Sequence, residues 1–342
     1  MVGVLVVTDA PAINAILVVR LSSIGDIVLT TPVVEELRRA FPQARIDFCT
    51  KAPFVPLLAG NPALSSVFTP DSLPSVAYDL AVDLQNNRRS RALVRALGIS
   101  SIRRYRKRNW KKLLLVRFKL NLYGAGYRSV VERYHEALDG LIPACSATCS
   151  LYPSPEDRQF ASGVLGGGLP VLAVCFGANH FTKRYPEERF ASVIQQAASA
   201  MDLRVLLLGG EEDAPGAGRI IDALPENVRG KVLSMAGRTS LLQSAALLER
   251  SDLVLCNDTG LMHMASAFGK RLLVLFGSSV NEFGFLPWGT QFELLETPGL
   301  ACRPCSHIGR DSCPAGHFRC MTGLDPARIA KRIIEILDSR RT

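Results

Sequence analysis

The chain lacks any apolar run approaching the ~20 residues that a membrane-spanning helix needs, so no such span is expected among its 342 residues. It also lacks the marks of a secretory signal. Met1 to Val7 are apolar but have no basic flank, Asp9 follows soon after, and no convincing cleavage site is present. Residues 1 to about 13 read as a loose or partly paired extension, or as the product of a misplaced start codon. Without an export signal the nine cysteines are expected as free thiols in a reducing compartment. Short-period repeats are absent too, leaving two halves of similar style.

The most informative absence is of negative charge. Between Asp83 and Glu132 there is no acidic residue and there are fourteen Lys and Arg, densest from Arg103 to Lys112. Within a net charge of +9, that stretch is an anion-seeking surface. Nucleic acid, anionic lipid headgroups or a phosphorylated glycolipid would satisfy it, as would a solvated basic face with no partner.

What is present is a repeated pattern of short buried strands, small-residue loops and helices. With 48% hydrophobic and 21% charged residues the chain is long enough for two cores, and two α/β domains are expected. Ile16 to Val19 reads as a strand emptying into Arg20-Leu-Ser-Ser-Ile-Gly-Asp26, with one helix from about Ile27 to Ala40 and a strand from Arg45 to Thr50. Tyr78 to Leu84 alternates as a strand, Arg88 to Leu97 reads as a helix, and an amphipathic helix is expected around Val131 to Leu141. Ser150 to Pro155, with two prolines and no periodicity, reads as the linker between domains spanning 14–152 and 153–323. Val171 to Phe176 opens onto Gly177-Ala178-Asn179, and Arg204 to Leu208 onto Gly209-Gly210-Glu211-Glu212-Asp213. Leu253 to Cys256 breaks at Asn257-Asp258-Thr259-Gly260 into a short helix, and Leu272 to Phe276 follows. Asp325-Pro326-Ala327 caps a last helix to about Asp338.

In such sheets ligands lie at the carboxyl ends of the strands. At Asp258-Thr259-Gly260 the unpaired N–H groups of a helix start would favour an anion, and glycine permits close approach of a phosphate; an ordinary N-cap is the equal alternative. Asp26 reads as a carboxylate held ionised at a helix start and able to accept a proton, or as a common first-turn acid. Cys302-x-x-Cys305, followed by Cys313 and Cys320 with His307 and His317 among them, reads as a thiol-rich loop without metal, a structural metal being the alternative.

Four segments in order, Arg20 to Pro32, Phe181-Thr-Lys183-Arg-Tyr-Pro186 to Phe190, Met235-Ala-Gly237-Arg-Thr-Ser240 and Asn257-Asp-Thr-Gly-Leu-Met-His263, resemble the successive motifs of the glycosyltransferase family 9 heptosyltransferases, over roughly residues 15 to 340. The resemblance implies a GT-B fold: two Rossmann-like domains facing across a cleft, acceptor on the first and nucleotide-sugar on the second, with a C-terminal helix (324–342) crossing back to the first. It implies inverting transfer of heptose from ADP-heptose to the inner core of lipopolysaccharide, onto Kdo or heptose, with no cofactor and no metal. Asp26 would be the general base, and Lys183 would contact the donor phosphates. Asn179, Met235, Gly237, Asp258, Thr259, Gly260 and His263 would line the donor site, with Glu211, Glu212 and Asp213 competing for the ribose. Ser22, Ser23, Gly25, Arg88 and Arg91 would face the acceptor, an anionic glycolipid of the inner leaflet. A cytoplasmic monomer, peripheral to the inner membrane and not bound to nucleic acid, is expected. The alternatives are another GT-B nucleotide-sugar enzyme with a different donor or acceptor, and a non-enzymatic module for nucleic acid or anionic surfaces.

Overall fold

The structure, a computed structural model, describes residues 13–339 apart from 125 and 144; all but the last residue of the expected N-terminal extension lies outside them. The short apolar runs form two parallel sheets. In the first half β1 (Ala15–Val19), β2 (Arg45–Cys49), β3 (Ser66–Phe68), β4 (Leu80–Asp83) and β5 (Ile102–Arg104) lie in the order β3-β2-β1-β4-β5. In the second, β6 (Val171–Cys175), β7 (Arg204–Leu208), β8 (Val232–Ser234), β9 (Leu253–Asn257), β10 (Leu272–Phe276) and β11 (Phe292–Glu296) lie in the order β11-β10-β9-β6-β7-β8. Central strands such as β1, β6, β9 and β10 are buried throughout, as parallel strands covered on both faces must be. Both orders reverse direction beside the first strand of the half, between β1 and β4 and between β6 and β9. Such a reversal opens a crevice at the strand ends, which is where these folds bind ligands.

Helices fill the connections: α1 (Ile24–Val28), α2 (Thr31–Ala40), α3 (Arg88–Ala96), α4 (Asn109–Phe118) and α5 (Val130–His135), then α6 (Pro155–Leu165) and α7 (Glu187–Ala200). Where the sequence suggested one helix over 27–40, two are found. Pro32 has no N–H for the Val28 carbonyl, which Thr31 Oγ1 takes at 2.8 Å, while Thr30 Oγ1 donates to Ile27 O at 2.6 Å. The end of the expected linker is likewise ordered. Ser154 caps α6, its hydroxyl accepting from Asp157 N while Ser154 N donates to the Asp157 carboxylate, with Pro155 at the first helical position. The basic stretch contains two elements that composition concealed, β5 and α4.

The last helix, Pro326–Asp338, packs on α7 of the second half, not on the first domain as the resemblance implied. Its apolar stripe, Ile329, Ile333, Ile336 and Leu337, shares a core with Phe190 and Ile194 of α7. Arg332 Nε meets Glu293 of β11 at 2.6 Å, and the Leu324 carbonyl just before the helix accepts from Tyr185 Oη and Arg189 Nη1. Together these hold the chain end on the sheet it has just left.

The two halves are joined by a continuous apolar core running from the first sheet into one face of the second. A polar clamp supplements it. Buried Arg133 of α5 donates to the carbonyls of Glu282 and Phe283 at 2.8 and 2.9 Å, and Val130 N donates to Gly284 O at 2.9 Å. Gly284 has φ +81°, and a Cβ there would lie 2.7 Å from Arg128 O, so only glycine lets the two backbones meet.

Candidate active site between the two sheets

The first wall of the cleft is built by the loop leaving β1. Ser23 caps α1 and its hydroxyl donates to Asp26 Oδ2 at 3.0 Å, which fixes the carboxylate in the first turn. Two residues that sequence reasoning passed over complete its setting. Arg20, the residue immediately after β1, reaches Asp26 Oδ1 with Nη2 at 2.8 Å, and is itself oriented by bonds from Nε to Ser22 O and from Nη1 to Leu84 O. Tyr134 of α5 is fully buried and donates its hydroxyl to the same Asp26 oxygen at 3.0 Å. Burial would raise the Asp26 pKa, but the Arg20 charge and the Tyr134 and Ser23 hydrogen bonds outweigh it and the carboxyl is held below its ordinary value. Asp26 is therefore an ionised acceptor whose geometry is set from three directions.

The second wall is built at the ends of β6, β7 and β9. Asn257, fully buried, donates Nδ2 to Phe176 O at 2.6 Å and accepts Tyr185 N at 3.2 Å, tying the β9 turn to the strand-end loop of β6. The next residue, Asp258, is free of the capping role: Thr259 occupies the N-cap of the Gly260–Ser266 helix, and the Asp258 carboxylate pairs with Lys183 Nζ at 2.7 Å. That pair holds a cation beside a helix start, an arrangement suited to a diphosphate. His263, one turn into the same helix, is buried, and its pKa is pushed down to about 4 by desolvation, against the opposing pull of Asp258 and Asp26. It is neutral at physiological pH, and among the described residues its Nδ1 has no hydrogen-bond partner.

The walls touch. A Cβ on Gly25 would lie 2.6 Å from His263 Cδ2, and one on Gly260 would lie 3.0 Å from Ile24 Cβ, so α1 and the Gly260–Ser266 helix approach closely because both carry glycine. Asp26 and the Lys183–Asp258 pair accordingly belong to one cleft.

The remaining expected residues divide. Asp213 is buried under the loops of Gly177 and Gly209, whose missing side chains make room for it, and it accepts Gly210 N at 3.0 Å. Burial raises its pKa, and its carboxylate packs against the Gly177 backbone while accepting from its own loop. Glu211 and Glu212 are exposed. Gly237, at φ +71°, lies against Glu211, a Cβ there falling 3.1 Å from Glu211 Cα, so the Met235–Gly237 segment and Glu211 form one surface beside β7. Asn179 is exposed on the loop after β6. Ser22 and Ser23 lie beside Asp26, while Arg88 and Arg91 stand exposed on the first turn of α3, after the β4 loop whose Gln85 side chain accepts Leu21 N at 3.0 Å. Lys107 and Lys112, from the densest part of the basic run, reach this site electrostatically. Burial lowers both their pKa values, that of Lys107 with help from Arg20 and that of Lys112 with help from Arg133, while Asp26 opposes in each case.

The cysteine-rich segment borders the cleft. Thr182 N donates to Arg310 O at 3.1 Å and Arg310 N to Thr182 Oγ1 at 2.9 Å, next to Lys183, while Lys119 Nζ of the first half donates to the carbonyls of Cys302 and Pro304. Cys302 Sγ lies 3.8 Å from His317 Nε2, and among the described residues no three His, Cys, Asp or Glu side chains are grouped to hold a metal.

Two Rossmann-like domains facing across a cleft are the GT-B class of glycosyltransferase fold. Residues 70–313 match the family model described as glycosyltransferase family 9 (heptosyltransferase), and the chain belongs to that family: it is a glycosyltransferase. It is 26% identical over 296 residues to lipooligosaccharide heptosyltransferase 2 of Haemophilus influenzae, covering 78% of this chain and 84% of that one. It is 24% identical over 360 residues to lipopolysaccharide heptosyltransferase 1 of Pseudomonas aeruginosa, covering 94% and 98%. In fold it is similar to the structure of E. coli ADP-heptose lps heptosyltransferase II, with a TM-score of 0.77 at 23% identity over 96% of this chain and 100% of that one.

Proposed function

We propose that the enzyme transfers heptose from ADP-heptose to the inner core of lipopolysaccharide, with a Kdo or heptose acceptor, at the cytoplasmic face of the inner membrane. The single observation that carries the chemistry is the shared cleft of Asp26 and the Lys183–Asp258 pair. Asp26 takes the proton from the acceptor hydroxyl as that oxygen attacks the anomeric carbon. The bond from that carbon to the β-phosphate oxygen breaks, the configuration inverts, and ADP leaves with the bonding electrons. Lys183 and the amides after Asp258 stabilise the charge gathered on the diphosphate, so the scheme requires no divalent cation.

Asp213 is buried and bonded within its own loop, so Glu211, exposed beside Gly237, is assigned to the donor ribose. Arg88, Arg91 and the acid-free basic stretch face an acceptor rich in phosphate and carboxylate, whose attraction to them weakens with salt. The relatives' names support the donor and acceptor; the cleft geometry supports the division of labour.

The test is a binding comparison. ADP-heptose should protect the protein against thermal unfolding saturably, and UDP-sugars and oligonucleotides should not. Equal protection by UDP-sugars would redirect the reading to another GT-B enzyme, and protection by oligonucleotides alone to a nucleic-acid module.

A further inference from the structure

Nine large apolar side chains stand exposed among the described residues, and five of them, Trp110, Leu113, Phe118, Leu120 and Leu122, fall in α4 and the few residues after it. Of α4 itself only Leu115 is buried. Offsets of three, seven and eight residues put Trp110, Leu113, Arg117 and Phe118 on one helix face, with Trp110 57%, Leu113 62% and Phe118 60% exposed. That is the reverse of a core-facing stripe. The helix is nonetheless anchored. Arg108 at its N-cap is paired with Glu136 at 2.9 Å, and Lys119 at its C-cap donates to Cys302 O and Pro304 O at 3.1 and 2.6 Å. Both ends are fixed, so the apolar face is held outward at the mouth of the cleft.

The charge around this face selects its occupant. Arg106 and Arg117 are exposed around it, and no acid occurs between Asp83 and Glu132. A second copy would bring two such cationic faces together, which is repulsive. Nucleic acid would satisfy the cations but offers no apolar phase to the leucines. An anionic bilayer satisfies both, phosphates at the level of the cations and hydrocarbon just below. We propose that α4 and the segment to Leu122 insert into the headgroup–acyl boundary of an anionic membrane, seating the cleft over a lipid-borne acceptor. The purpose of this docking rests on the acceptor reading above; its evidence does not.

The experiment uses the full chain with vesicles of phosphatidylethanolamine and phosphatidylglycerol, some carrying brominated acyl chains. Tryptophan emission should shift to the blue and be quenched by bromine, and Trp110→Phe should remove both effects. Binding should fall with salt yet keep a salt-resistant remainder. Leu113→Ser with Phe118→Ser should lower partitioning about a hundredfold, as expected for two side chains withdrawn from hydrocarbon. Transfer to a delipidated acceptor oligosaccharide should be unchanged in that variant, and failure of transfer in the wild type would count against the proposed reaction, not against docking. Emission untouched by bromine, binding abolished entirely by salt, or apolar variants that bind vesicles like the wild type would overturn the insertion. So would a wild-type dimer that the same variants dissociate, because the face would then belong to a second copy.

Discussion

Gly25 and His263 meet across the cleft, so close that one added methyl on the glycine would fall 2.6 Å from the imidazole Cδ2. The glycine stands one residue before Asp26 of the first half, and the histidine stands in the helix that opens after Asp258 and Thr259 of the second. Their contact brings the two chemistries together.

Gly25→Ala tests that contact. Alanine favours the helix by roughly 1 kcal/mol locally, but overpacking the junction costs ~1–3 kcal/mol and falls on the approach of the two halves. We expect turnover to drop tenfold or more with little change in the unfolding midpoint, and small-angle scattering to report a more open particle. Unchanged turnover would mean that the contact is incidental.

His263 gives a dependence of stability on pH. Its folded pKa of about 4 lies below the ordinary 6.5, so between those values the unfolded chain binds a proton that the folded chain does not. Stability is therefore fully present above pH 6.5 and lost as pH falls toward 4, on the order of 3 kcal/mol for a group this buried. Urea unfolding at pH 7.5 and pH 5 should differ by less in His263→Gln than in the wild type.

Arg20 and Tyr134 are predicted to set the acid limb of the rate profile. Arg20→Met removes a charge 2.8 Å from Asp26, and Tyr134→Phe removes a hydrogen bond of 3.0 Å. Each change should raise the Asp26 pKa and move the acid limb of kcat to higher pH, Arg20→Met further than Tyr134→Phe. A merely structural role would lower the rate without moving the limb.

How much of this was legible before the structure follows from what each signal encodes. The central strands announced themselves because a strand buried on both faces must be apolar throughout, as Val171–Cys175 and Leu272–Phe276 are. The edge strand β5, Ile-Arg-Arg, carries no such pattern and vanished into the basic run. The Asp258 turn was legible because it directly follows β9, whereas Asp26 and Lys183 were singled out by the motifs that resemble the family's. Tyr134 was not. It lies in an amphipathic helix that sequence assigns to the core, and its hydroxyl meets Asp26 across a separation of 108 residues. The break between α1 and α2 could have been read from Thr30-Thr31-Pro32, since proline in a first turn frees a carbonyl that a preceding threonine can take.

Glu211 and Asp213 are predicted to separate in their effects. Glu211→Ala should weaken ADP-heptose binding about tenfold while the unfolding midpoint holds, whereas Asp213→Ala should lower the midpoint first, because it leaves the Gly210 N–H without its acceptor. Lys183→Ala should weaken donor binding and also lower kcat, as expected for a group that follows charge onto the leaving diphosphate. Titration calorimetry with donor and steady-state kinetics check all three.

The most direct test is Asp26→Asn, read in parallel by donor titration and by turnover. The substitution keeps shape and removes the proton acceptor. We expect ADP-heptose to bind within about threefold of the wild type while kcat falls by about 10²–10⁴, the range for loss of a general base. Retained turnover, or loss of donor binding together with turnover, would contradict a cleft in which one half activates the acceptor and the other holds the leaving group.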